Sequence, residues 1–147
     1  MRTIAASLAL LGASAVLGTS IPAAPPGSAP QEIRLVWRQT SSHPGKKSAW
    51  TSDLINELRQ FERPAGVKVG AEVGFAHGAQ LDGALRLPGG VVAYSGKARH
   101  LPRDAGIAVA VVDGSGAFAG VTGTYTRSRG DRAHPKSTIV VLRLRFG

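Results

Sequence analysis

The chain has 147 residues, 43% of them apolar, with 18 basic against 9 acidic side chains, a formal charge of +9, no cysteine and few aromatics. That length holds one domain once a targeting segment is set aside, and the apolar share suffices for one core. The lack of cysteine excludes a disulfide framework, a thiolate zinc site and a lipid-modified export cysteine, so stability has to come from packing and hydrogen bonding.

Met1-Arg2-Thr3 is a short basic start, and residues 4–17 form an apolar run too brief to span a bilayer comfortably, the pattern of a secretory signal peptide. Ile21-Pro22-Ala23 offers a cleavage site, which makes residues 1–23 the leader. Residues 24–31, with Pro25, Pro26 and Pro30, read as a stiff disordered lead-in to a single domain over 32–147. The mature protein is therefore expected outside the cytoplasm, secreted or in the envelope, with no transmembrane segment after processing.

Residues 32–39 alternate, with Ile33, Leu35 and Trp37 on one side, and predict a first strand. Residues 40–47, with Pro44-Gly45, predict a loop. A strand from Ser48 to about Leu54 follows, with a helical turn or two over 54–61 as the alternative, because Ser52-Asp53 resembles a cap and Leu54, Leu58 and Phe61 share a helical face. Asp53 is read as a turn cap. In the third strand Val67, Val69, Ala71, Val73 and Phe75 alternate against Lys68, Gly70, Glu72, Gly74 and Ala76. Runs at 80–87 and 91–98 flank Pro88-Gly89-Gly90 as a hairpin.

Residues 107–126, IAVAVVDGSGAFAGVTGTYT, predict a second hairpin: a β-branched arm, a reversal at Asp113-Gly114-Ser115-Gly116, and a threonine-rich return. Gly114, Gly116, Gly120 and Gly123 are expected to be turn residues. The same letters satisfy a dinucleotide-binding pattern, G-x-G-x-x-G/A. That motif needs a helix next and an acidic residue about twenty positions on, and the chain supplies neither. Residues 137–146 close the chain as a strand. About eight short strands joined by reversals make an all-β, antiparallel sheet that should curl into a closed, lipocalin-like barrel. Its interior can be filled by side chains or hold one small ligand.

Residues 114–123, Gly-Ser-Gly-Ala-Phe-Ala-Gly-Val-Thr-Gly, preceded by an apolar strand and followed by the closing strand, resemble the G-[ST]-G-x-[FY]-x-G-x-x-G signature of the allene oxide cyclase and dirigent protein superfamily. Ser52 to Asn56, Val67 to Gly70 and Leu87 to Gly96 fall in the order and rough spacing of its small bacterial secreted members. The resemblance implies an allene oxide cyclase barrel. It also implies that an apolar cavity orients a reactive intermediate while it cyclises or couples, without metal or cofactor. The catalytic carboxylates of the family do not carry over, since the first strand ends in Trp37-Arg38-Gln39-Thr40.

The expected interior lining is Leu35, Trp37, Val69, Val73, Leu85, Tyr94 and Val109, a pocket with few ionisable groups. Glu72, between Gly70 and Gly74, is the one candidate for catalysis, although its alternation places it on the outward face. His43, His77, His100 and His134 are too scattered for a metal or a triad. Arg127, Arg129, Arg132 and Lys136, with Asp131 among them, read as solvated loop charge without stacking aromatics, which argues against a nucleic-acid patch. The expected function is the binding of a small apolar molecule without covalent chemistry. The alternatives are a cofactor-free cyclase or isomerase and a structural or protein-interaction domain of the envelope; a homo-oligomer is compatible with any of these.

Overall fold

The computed structural model describes residues 31–130 and 137–147. The leader, the cleavage site, residues 24–30, Asp131, Arg132, His134 and Lys136 lie outside the described residues. Among the described residues nine strands form one antiparallel sheet: β1 (Gln31–His43), β2 (Lys47–Asn56), β3 (Lys68–His77), β4 (Gln80–Leu87), β5 (Gly90–Lys97), β6 (Arg99–His100), β7 (Gly106–Gly116), β8 (Val121–Arg129) and β9 (Thr138–Phe146). Their order is β5-β4-β3-β2-β1-β9-β8-β7-β6, and β5 also pairs with β7. That last pairing closes eight strands into a barrel, as the sequence predicts, and leaves the two-residue β6 as an appendage on β7. Closure removes the open edges of a sheet this rich in β-branched residues. Among the described residues no helix is long and apolar enough to cross a membrane.

Several local expectations need correction. β1 runs on through the predicted loop to His43, because residues 41–43 stay paired with β2 beyond an irregularity at Thr40. No helix follows Leu54: β2 continues to Asn56, whose side-chain amide donates to the carbonyls of Gln60, Arg63 and Pro64 and so shapes the connection to β3. Asp53 caps nothing. It lies on the outer face of β2, ion-paired with Arg38 at 2.9 Å and Lys68 at 3.0 Å, and hydrogen bonds from these two cations hold its carboxyl below the usual value.

The second hairpin also reverses later than predicted. β7 runs through Gly114 to Gly116, and the turn occupies 117–120. Gly116 and Gly120 have φ of 63° and 75° and serve the reversal as expected. Gly114 and Gly123 are strand residues instead. A Cβ on Gly114 would meet Phe118 and Val121, and one on Gly123 would meet the Arg143 carbonyl, so these two glycines permit close packing rather than a turn.

The largest correction concerns β3. Leu54 and Ile55 are consecutive on β2 but face Gly70 and Lys68, so Val69 is the extra residue of a bulge. Because side chains alternate with period two, one extra residue swaps the faces for the rest of the strand. Val69 is buried, but beyond it Glu72 and Gly74 point inward, and Val73 (45% exposed) and Phe75 (53%) point to solvent. Val73 therefore does not line the interior.

The core lies inside the barrel. At the end formed by the start of β1, the end of β2 and the β7–β8 turn it is apolar apart from the buried Asn56: Phe61, Leu87, Val92, Phe118, Val121, Leu144 and Phe146 are buried there in one cluster with Leu35, Leu54 and Leu142. Phe118, with no exposed surface, stops this end from the turn. Phe61 does so from a reversal in which Phe61 and Glu62 both adopt positive φ, 57° and 56°. Side chains disfavour that conformation. Paired backbone bonds between Gln60 and Arg63 and the Asn56 amide hold it.

Candidate functional site

At the opposite end the interior changes character. Period two on β1, β2, β3, β5 and β8 sends Trp37, Trp50, Glu72, Tyr94 and Tyr125 inward, and Glu72 has no exposed surface. The Trp37 indole donates to Glu72 Oε1 at 3.0 Å and the Trp50 indole to Oε2 at 3.3 Å. Tyr125 donates to the carboxylate with both oxygens at 3.0 Å, and the Tyr94 hydroxyl donates to Oε2. The chain has two tryptophans and two tyrosines, and all four converge on this one group. Burying an unpaired carboxylate is prohibitive; four convergent donors are what make it tenable here.

Two glycines make the arrangement fit. Gly74 on β3 and Gly83 on β4 are directly paired. A Cβ on Gly74 would run into the Trp50 ring, and one on Gly83 into the Tyr94 phenol. The rings thus lie flat across bare backbone on their way to Glu72. Tyr94 and Tyr125 stack on each other with centroids 4.2 Å apart and planes 22° from parallel. Burial above all, followed by the Coulombic influence of Tyr125 and Glu72, pushes the Tyr94 phenol far above its ordinary value. Burial and then Glu72 do the same to Tyr125. Both phenols are therefore held as proton donors.

Arg127 covers this group from β8. Its guanidinium carbon sits 4.9 Å from the centroid of the Trp37 ring and 4.8 Å from that of Trp50, a cation–π contact with both. The expectation that the arginines near the β8–β9 connection lack aromatic neighbours therefore fails at Arg127. Arg127 Nη1 is buried with no hydrogen-bond partner, and so is the hydroxyl of Ser52 on β2, whose residue is 1% exposed and directly opposite Glu72. From the apolar end outward the interior thus passes from hydrocarbon to a carboxylate ringed by phenols and indoles, and then to a cation. Trp37 and Arg127 are only partly buried, so the last layer reaches towards solvent.

Of the predicted lining, Leu35, Val69, Leu85, Tyr94 and Val109 are buried, and Trp37 packs partly buried against the same core. Leu35 and Leu85 are core residues of the hydrocarbon part, and Trp37 and Tyr94 touch Glu72. The expectation that Glu72 faces outward is overturned by the bulge at Val69. Trp50, Tyr125, Ser52 and Arg127 were not anticipated; the available signal was that Trp50 and Ser52 share the inward phase of β2, and Tyr125 and Arg127 that of β8. A separate groove of about 360 Å³ outside the barrel, along Lys47, Phe75, Ala76, His77, Gln80 and Asp82, includes none of these groups.

No family profile matches the chain, and no curated protein is similar to it at a significant level. Among solved structures, a pyocyanin demethylase is similar in fold, with a TM-score of 0.56 and 18% identity over 78% of this chain and 99% of its own. At that identity the likeness shows the barrel fold alone.

Proposed function

We propose that this protein is an extracytoplasmic barrel of the allene oxide cyclase and dirigent type that binds a small, largely apolar molecule at its Trp37, Trp50 and Arg127 end, without covalent chemistry. One observation carries the reading: every tryptophan and tyrosine of the chain is directed at one buried carboxylate. Stability alone does not call for this, since well-packed apolar residues in place of a buried ionic group are often as stable or more so. A few convergent polar groups in an apolar enclosure are the usual makings of a binding site. The glycine-rich decapeptide at 114–123 supports the superfamily, and the pyocyanin demethylase shows the same architecture in a protein named for acting on a small molecule.

Both tryptophans lie in the site, so their emission reports on it directly. Titration with a solvatochromic apolar dye is expected to change tryptophan emission, saturate at one dye per barrel, and weaken in Trp37→Ala. Lack of saturable binding would overturn the reading in favour of a structural or protein-binding role in the envelope. For the export part, the mature protein is expected outside the cytoplasm with its leader cleaved between about Thr19 and Pro30. Intact mass of the native protein checks this, and retention of residues 1–17 in soluble cytoplasmic protein contradicts it.

The burial of Glu72 beside the Tyr94 and Tyr125 phenols favours a second reading, a cofactor-free isomerase or cyclase. A carboxylate beside two phenols that keep their protons, away from water, can take a proton from one atom of a bound molecule and return it to another. Deuterium from D2O is then expected to enter 2-tetralone, an enolisable ketone, in the presence of the wild-type protein and not of Glu72→Gln. Equal incorporation with both proteins would end this reading.

A further inference from the structure

We infer that the ligand is a small organic acid whose anionic oxygen is received by Arg127 Nη1, with Ser52 Oγ donating to a further oxygen of the same molecule. This rests on the small-molecule reading above. Glu72 already accepts from four donors, whereas Arg127 Nη1 and Ser52 Oγ are the two buried side-chain polar atoms without a partner among the described residues. Both adjoin Trp50: Ser52 is two residues along the same face of β2, and the Arg127 guanidinium stands over the Trp50 ring. Buried donors are nearly always satisfied, and two left open in one built site, Ser52 within it and Arg127 at its partly exposed side, mark where a bound group supplies the acceptors.

The charge pattern selects an anion. No carboxylate among the described residues forms an ion pair with Arg127. Glu72 lies beyond the two indoles, whose N–H groups point to it while their faces meet the guanidinium. A guanidinium whose neighbours are ring faces is poorly hydrated, which strengthens its bond to an incoming carboxylate. The partly exposed Trp37 also suits the hydrocarbon part of that acid.

The test compares 2-naphthoate with its neutral isostere 2-naphthamide by calorimetry and tryptophan emission on the full mature protein. Naphthoate is expected to bind about ten to a hundred times more tightly. That preference should vanish in Arg127→Gln, survive in part in Arg127→Lys, and the affinity for naphthoate should fall several-fold in Ser52→Ala. Equal affinities in the wild type would overturn the anion assignment and leave the small-molecule reading standing; lack of binding by either probe would defeat both. A preference that persists undiminished in a folded Arg127→Gln variant would place the anion elsewhere, and an unchanged affinity in Ser52→Ala would remove Ser52 from the site. The wild-type comparison needs no variant, so misfolding of Arg127→Gln does not blunt it.

Discussion

The two ends of this barrel solve the same problem with opposite materials. At one end Phe61, Phe118, Val121, Leu144 and Phe146 fill the interior with hydrocarbon that needs no partner. At the other a carboxylate, two phenols, two indoles and a guanidinium fill it with groups that each need a specific one. Dispersion and burial tolerate small errors of placement, but hydrogen bonds to a buried ion do not. The apolar end is accordingly the part whose contents can be exchanged for similar bulk. The polar end cannot be altered one residue at a time without stranding a donor or an acceptor.

The largest expected effect comes from truncating one residue at each end. Phe118→Ala should cost about 3–5 kcal/mol through the cavity it leaves. Glu72→Ala should cost a similar amount, about 3–5 kcal/mol, by leaving four donors and a nearby cation without their anion. Urea unfolding measures both, and tryptophan emission separates them: the native spectrum should shift in Glu72→Ala and hold in Phe118→Ala. A loss under about 1 kcal/mol in Glu72→Ala would show that the polar end is not a coupled unit.

Alkaline pH sharpens the comparison next, because within the barrel interior it acts on the polar end alone. Both tyrosines are there, with folded pKa values raised above the unfolded value of about 10. The unfolded chain releases two protons above that pH and the folded one keeps them. The phenols' contribution to stability is thus fully present below about pH 10 and is lost as pH rises beyond it, at about 2.7 kcal/mol per pH unit for two groups. Absorbance at the tyrosinate band should stay absent until the barrel unfolds and then appear in full. Titration of either tyrosine near its ordinary value in the folded protein would contradict the buried arrangement.

The smallest effects come from backbone positions and carry opposite signs. Gly74→Ala or Gly83→Ala should destabilise by about 1–3 kcal/mol, as the new methyl pushes Trp50 or Tyr94 away from Glu72. At the apolar end Glu62→Gly should stabilise by about 0.5–1 kcal/mol, because glycine adopts the positive φ of 56° without strain. Thermal melts read both, and stabilisation by Gly74→Ala would mean that the ring does not lie over that glycine.

What could be read from the chain by itself was the kind of fold and, of its hydrocarbon interior, Leu35 and Leu85. Alternation in β1, the Pro88-Gly89-Gly90 hairpin and the β-branched run of β7 each report a local preference, and a set of short strands with short reversals has few ways to avoid exposed edges other than closure. The polar end was only partly legible. Glu72 drew notice for its flanking glycines, but apolar alternation on β3 put Val73 and Phe75 inside and Glu72 outside, and Arg127 looked like loop charge. Only the tertiary structure decided these points. The bulge at Val69 is a feature of the pairing between β3 and β2, and one unpaired residue is enough to exchange the two faces. In the same way Trp37, Trp50, Tyr94 and Tyr125 meet at one carboxylate because barrel closure brings β1, β2, β5 and β8 around β3, a neighbourhood that no spacing along the chain encodes.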